Sequence, residues 1–263
     1  MKEGGKGAAV RWKDGTKVAV IGAGNLGRIM ADRLSGRFDV VAVEKIPEVL
    51  DKLKNKRVRK SSDFADAKGC EIAIICVKPN DVGEAVRSLS PGSGMLVVSC
   101  AAGIPIKALR GFGAERVARI MPNINIRVGE GMIGYCGEEI GDLFSGLARC
   151  VRMGEGHISL VTAMSASGVA YVWYLTRVFY EHARGEGMAD ADARAIMGQV
   201  LKGCGEMLLK DGATIEELLS TVATPKGTTA AGLEHLEREG VARSLDGALS
   251  LTEERCRQIE EES

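Results

Sequence analysis

Two short stretches hold the residues that could do chemistry. The first, VIGAGNLG, sets Gly22, Gly24 and Gly27 in a G-x-G-x-x-G pattern at the end of an apolar run. Gly22 permits a tight turn, Gly24 lets the backbone approach a pyrophosphate, and Gly27 lets a helix pack close to the strand. The amides at the helix start, across Asn25 and Leu26, then face the anion. The acidic residue such a cradle needs is Glu44, at the end of the next apolar run, VVAVEK. It lies about 20 residues on, where a carboxylate accepts from the adenosine ribose hydroxyls. A carboxylate there repels a 2′-phosphate and favours NAD(H). Lys45 beside it could pair with a 2′-phosphate, which leaves NADP(H) open. The second stretch is VATPKGTTAAGLEHLE, residues 222–237. It crowds Thr224, Lys226, Gly227, Thr228 and Thr229 in front of an apparent helix. On their own, Thr228 and Thr229 read as helix caps.

Elements of the right kind surround the first stretch. KVAVIGAG, DVVAVEK, EIAIICVKP and GMLVVSCAAG are short apolar runs bounded by Gly, Pro or charge. Segments of helical length separate them, at 25–35, 47–55 and 80–88. Apolar strands alternating with helices predict a parallel sheet covered on both faces. ERVARIMPN and GMIGYCG add further strands. Strand-like runs stop near residue 157. Helical patterns follow at 158–184, 190–210, 214–222, 228–239 and 241–261, with Thr214 and Glu217 spaced as a capping box. The expected fold is therefore an α/β Rossmann-like N-terminal domain with a parallel sheet, then an all-α C-terminal domain. The expected boundaries are a loose extension over 1–15, a dinucleotide-binding domain over 16–157 and a helical dimerisation and substrate domain over 158–263.

Composition removes other classes. The 263 residues carry 35 basic and 35 acidic side chains, so net charge makes no case for nucleic acid or an acidic membrane. Seven widely spaced cysteines with no CxxC pair read as reduced thiols in a cytoplasm. Three scattered histidines offer no ligand spacing, so no metal is expected. Residues 1–15 lack the apolar core of a signal peptide. Ile158–Thr176 is uncharged over nineteen residues, long enough to span a bilayer. Its serines, threonines and glycine make a buried helix the better reading.

The order of motifs then resembles the pyrroline-5-carboxylate reductase family, from about Lys17 onward. The resemblance rests on VIGAGNLG, VKP at 77–79, AAGI at 101–104, RIMPN at 119–123, VGEG at 128–131 and, most specifically, TPKGTTAAGL at 224–233. It implies NAD(P)H-dependent reduction of a cyclic imine bearing a carboxylate, 1-pyrroline-5-carboxylate, to proline. It places Thr224, Lys226, Gly227, Thr228 and Thr229 about the substrate. The Thr229 hydroxyl lies near the ring nitrogen, and the loop amides face the carboxylate. It sets the Val77, Lys78 and Pro79 turn along the cofactor and makes Ala101 and Gly103 a wall of the nicotinamide pocket. Asn123 hydrogen-bonds near the ribose or carboxamide, unless it is only a turn residue after proline. It also implies a homodimer or larger homo-oligomer with helices interleaved between subunits.

Three positions depart from the family pattern: Ile124 and Asn125 after MPN, SASGVAY at 165–171, and Lys226 where glycine is usual. They bear on pocket shape and charge, which set specificity. Two alternatives therefore stand beside the first reading. One is a reductase of another cyclic imine or imino acid. The other is a nucleotide-binding regulatory protein without turnover.

Overall fold

Strand β1 (Lys17–Ile21) is apolar at four of its five positions and buried at all four. An unbroken apolar run of this kind suits a strand covered on both faces. A computed structural model describes residues 11–210 and 212–262 and sets β1 in the interior of an eight-stranded sheet. The other strands are β2 (Asp39–Val43), β3 (Arg59–Ser61), β4 (Ile72–Ile75), β5 (Leu96–Ser99), β6 (Arg116–Pro122), β7 (Gly131–Gly137) and β8 (Ala148–Arg152). Their order is β3-β2-β1-β4-β5-β6-β7-β8. The order reverses between β1 and β4, the switch point where doubly wound sheets bind ligands.

Alternate residues of each strand feed two cores. Val18, Val20, Ile72 and Ile74 pack with Met30 and Leu34 of α1 (Asn25–Leu34) on one face. Ala19, Ile21, Ala73 and Ile75 pack with Val82, Val86 and Leu89 of α3 (Val82–Leu89) on the other. The remaining helices of this part are α2 (Pro47–Leu50) and α4 (Ile106–Gly111).

The structure departs from the sequence expectations in several places. The sheet is not wholly parallel: β7 runs antiparallel to β6, and β8 parallel to β7. The short β3 and the edge strand β8 were not foreseen. The sequence of β8, ARCVR, leaves Arg149 and Arg152 exposed and has no apolar run to betray it. The helix expected over 47–55 shrinks to four residues opened by a proline. The loose extension expected over 1–15 falls outside the described residues up to residue 10. Beyond that, Trp12 is anchored: its indole donates to the Ile140 carbonyl at 2.9 Å and its amide to Asp142 Oδ1 at 2.8 Å.

The chain divides into two compact units. The first runs through Ser167 and takes in the segment from Leu251 onward; the second is Gly168–Ser250. The second holds α6 (Gly168–Gly185), α7 (Asp190–Lys210), α8 (Ile215–Val222), α9 (Thr228–Arg238) and most of α10 (Val241–Glu261). Helices α6 and α7 pack on each other. The expected capping box is present: the Thr214 hydroxyl accepts from the Glu217 amide, and the Glu217 carboxylate accepts from the Thr214 amide.

Within one chain the uncharged segment from Ile158 is only partly buried. It begins as a short helix, α5 (Ile158–Val161), and widens into a π-helical stretch over Thr162–Ser167. Ile158, Thr162 and Ala163 are buried, but α6 has no buried residue. By length and composition the continuous helix Glu155–Gly185 could cross a membrane, and only 22% of its most apolar window is buried.

Candidate functional site

At the end of β1 each glycine has its own reason. Gly22 adopts φ +92°, and a methyl group added there would sit 2.8 Å from Val77 Cγ1. A methyl on Gly27 would meet the Gly22 carbonyl oxygen at 1.9 Å. Neither position accepts a side chain. A methyl on Gly24 would meet nothing within 4 Å. Gly24 faces open space, where a ligand can approach the backbone. It is also the N-cap of α1. No side chain caps that helix, and no acidic residue occupies its first turn. The first amides of α1, at Asn25 and Leu26, thus lack an internal anion. Together these features fit a pyrophosphate.

Glu44 lies just past β2, where the spacing put it. Its Oε2 accepts from the Ala23 amide at 2.9 Å and its Oε1 from the Ile46 amide at 3.1 Å. The carboxylate therefore braces the glycine loop as well as facing the cleft. It borders a cavity of about 210 Å³ with Lys45 and Ile46 on one side and Asp81 and Glu84 on the other. Lys45 forms an ion pair with Glu84 across that cavity and lies 5.8 Å from the centre of the Phe64 ring. The hydrogen bond to Lys45 holds the Glu84 carboxyl below its ordinary range. Val77 lines the same cavity; Lys78 precedes a single 3-10 turn that starts at Pro79.

Other expected residues have structural employment. Ala101 is buried at the end of the β5 loop. Gly103 adopts φ +72°, and a methyl there would lie 2.4 Å from Ile259 Cγ2, so its freedom serves packing against the end of α10. Asn123 is buried. Its Oδ1 accepts from the amides of Asn125 and Met132, both at 3.2 Å, and its Nδ2 donates to Ser165 Oγ at 3.1 Å. That leaves one N–H for anything else.

Sequence reasoning passed over three features. Glu84 belongs to α3, and no dinucleotide spacing rule points to it. Arg119 lies among the apolar residues of β6 beyond the opening Arg116 and is almost wholly buried. Its guanidinium donates to Glu155 and Glu260, each at 3.2 Å. A charge inside an apolar strand was the available signal, since buried arginines are paired. Cys76 and Cys100 lie side by side, 3.7 Å between sulfurs, at the ends of β4 and β5. The facing thiol and burial push the Cys100 thiol up.

The threonine-rich loop lies in the second unit. Thr224, Pro225, Lys226 and Gly227 form a turn closed by the Gly227 amide on the Thr224 carbonyl at 2.9 Å. Lys226 adopts φ +62°. With proline at the second position and positive φ at the third, this is a type II turn, whose third position favours glycine. A methyl on Gly227 would meet Thr224 Oγ1 at 2.6 Å. Gly227 is the N-cap of α9, and no side chain caps the helix. Thr228 and Thr229 are its first two helical residues, so the expectation that they might merely cap it is not met. Their amides, like those of α1, lack an internal acceptor from a cap, and no acidic residue occupies the first turn.

Comparison with known proteins matches two regions of the chain. Residues 155–259 match the family described as pyrroline-5-carboxylate reductase dimerisation. Residues 17–103 match that described as NADP oxidoreductase, coenzyme F420-dependent. Pyrroline-5-carboxylate reductase 3 of Xenopus laevis is 32% identical over 214 residues, spanning 76% of this chain and 78% of that protein. Pyrroline-5-carboxylate reductase of Corynebacterium melassecola is 28% identical over 268 residues, spanning 93% and 98%. Among solved structures, Plasmodium falciparum pyrroline carboxylate reductase with NADP bound superposes with a TM-score of 0.85 at 22% identity, covering 95% of this chain and all of that one.

Proposed function

The chain belongs to the pyrroline-5-carboxylate reductase family, and from that premise we propose that it reduces 1-pyrroline-5-carboxylate to L-proline with NADH or NADPH. The observation that carries the reading is two helices that start at glycines, Gly24 and Gly227, with neither a side-chain cap nor an acidic residue in the first turn. The reaction needs two anions held, a dinucleotide pyrophosphate and a substrate carboxylate. Each uncapped helix start can hold one. By contrast α8 closes its own N-terminus with Thr214 and Glu217.

When bound, the reduced nicotinamide supplies the hydride that turns the imine carbon into C–H. The chain's own part is to bind and orient. Gly24 and the amides of Asn25 and Leu26 take the pyrophosphate, with Gly22 and Gly27 shaping the turn. Val77, Lys78, Pro79, Ala101, Gly103 and Asn123 belong to the cofactor side. Thr224, Gly227 and the amides of Thr228 and Thr229 take the substrate carboxylate. The Thr229 hydroxyl orients the ring nitrogen, which gains its proton from water. Glu44 supports a preference for NADH, since its fixed carboxylate repels a 2′-phosphate. The NADP of the Plasmodium neighbour supports use of NADPH as well. The exposed apolar face of α6 and α7, with the dimerisation match over 155–259, supports a homodimer or larger ring. Seven free thiols agree with a cytoplasmic location.

Lys226 favours a second reading, a related cyclic imine as substrate. It places an exposed cation in the loop, and it makes no ion pair among the described residues. One assay separates the readings. The purified protein is given 1-pyrroline-5-carboxylate and a panel of other cyclic imines, each with NADH and NADPH, and nicotinamide absorbance is followed. Turnover of pyrroline-5-carboxylate above all others is expected. A stronger preference for another imine would select the second reading. Cofactor binding without turnover of any imine would leave a regulatory protein.

A further inference from the structure

The cavity beside Glu44 contains more charge than the spacing rule considers. Three carboxylates border it, Glu44, Asp81 and Glu84, against a single cation, Lys45. Glu44 is fixed: both its oxygens accept from backbone amides of the loops that shape the cavity. Lys45 is the one bordering group able to attract a phosphate, and it is engaged. Its ammonium crosses from the β2 side to Glu84 on α3, passing beside the Phe64 ring.

We infer that Glu84 is a specificity-determining residue, which disfavours NADPH by withholding Lys45 from the 2′-phosphate and by keeping the cavity negative. The inference rests on the proposed dinucleotide site. Its physical basis is competition. Both side chains of the pair are more than half exposed, 57% for Lys45 and 63% for Glu84. An ion pair so open to water is weak. A 2′-phosphate, with up to two negative charges, can therefore draw the ammonium away, but must displace Glu84 to do so and then lie near its carboxylate. NADPH is weakened and not excluded. A 2′-hydroxyl meets neither cost, because it donates to the Glu44 carboxylate and makes no demand on Lys45. Preference is thus divided between two crossovers of the sheet: the end of β2 supplies the repelling carboxylate and the cation, and α3 decides whether the cation is free.

The test measures binding, through the fluorescence of NADH and NADPH titrated with wild-type protein, Glu84→Gln, Lys45→Gln and the double variant. Glu84→Gln is a conservative change at an exposed helix position and keeps the fold. It should lower the Kd for NADPH about two- to fivefold, the worth of an exposed ion pair, and leave the Kd for NADH nearly unchanged. The gain should shrink in the double variant to the relief of like-charge repulsion alone, because the rest depends on the freed Lys45. It should also shrink as salt is raised. An unchanged NADPH-to-NADH ratio in Glu84→Gln would overturn the role of Glu84. A gain of undiminished size without Lys45 would overturn the withholding mechanism. Wild-type protein that binds neither dinucleotide would overturn the cofactor reading itself, and the inference with it.

Discussion

In the first unit Val18, Val20, Ile72 and Ile74 have no contact with water; in the second Trp173, Phe179 and Leu209 keep 58%, 60% and 67% of their surface exposed. Both regions are rich in apolar residues, but they use them differently. The sheet takes its apolar side chains out of water within one chain, so its stability is local. The helices turn theirs outward, and contiguous apolar surface of that kind marks association. The glycines follow the same division. Gly22 and Gly27 are fixed by atoms of their own unit, whereas Gly198, Gly203 and Gly205 of α7 have open space around them. The lesson is that one unit buries its apolar surface within its own chain, while the other leaves apolar surface open to association.

Four experiments would break or sharpen this contrast. The largest effect is expected at Gly27→Ala, where the new methyl falls on a backbone oxygen that cannot withdraw. We expect a loss of about 3 kcal/mol in the first unit, the upper end of overpacking costs, seen as a lowered unfolding midpoint together with lost NADH binding. Gly24→Ala is its control: the methyl has room, so the midpoint should hold while dinucleotide affinity falls. If both variants unfold alike, the glycines are merely flexible and the cradle argument fails.

Next in size is Trp173→Glu combined with Phe179→Glu. Removing two large exposed apolar groups from the assembly should weaken it by about 2–4 kcal/mol, the range for anchoring aromatic residues. Light scattering should then show a monomer at micromolar concentration, with NADH binding by the first unit preserved. A variant that remains fully oligomeric would move the interface off α6.

Thr229→Ala comes third. It keeps the α9 amides and removes one hydroxyl, so kcat should fall by about 10- to 100-fold, equivalent to 1.4–2.7 kcal/mol, with little change in NADH affinity. A larger effect on KM than on kcat would make the hydroxyl a ground-state contact. Smallest is Lys226→Gly. A non-glycine residue in the left-handed region costs about 1–2 kcal/mol, partly offset by the greater freedom of glycine in the unfolded chain. A gain of about 0.5–1 kcal/mol in denaturant midpoints is expected. A loss instead would show that the lysine side chain has a partner in the assembly.

Much of this was legible in the sequence, for identifiable reasons. The strands β1, β2, β4 and β5 and the glycine cradle announce themselves because a strand covered on both faces must be apolar throughout. The capping box at Thr214 was readable because its two partners are three residues apart. Long-range pairing was not readable. Trp12 reaches Ile140, Arg119 reaches Glu260, and Asn123 reaches Ser165; none of these follows from spacing. The edge strand β8 hid because half-exposed strands carry charge. The site shows the same limit. Glu44 was found by its position after the glycines, but its bonds to Ala23 and Ile46 and the claim of Glu84 on Lys45 appear only once the crossovers are folded. For Lys226 the sequence raised a question of charge, and the structure answered with a backbone angle.

The return of the chain to the first unit has a consequence in time. Gly103 is covered by Ile259, and the buried guanidinium of Arg119 has Glu260 as one of its two carboxylates. Both come from the segment after Leu251, which a ribosome makes only after the whole of Gly168–Ser250. Domains generally fold as units during synthesis, N-terminal first. This one can form its sheet early, but it must wait with an under-compensated cation and an open groove until the helical unit has emerged. During that interval the nascent chain displays two unfinished surfaces, the groove at Gly103 and the apolar face of α6. Chaperone occupancy should therefore persist past the synthesis of the sheet and end only as the last turns of α10 are made.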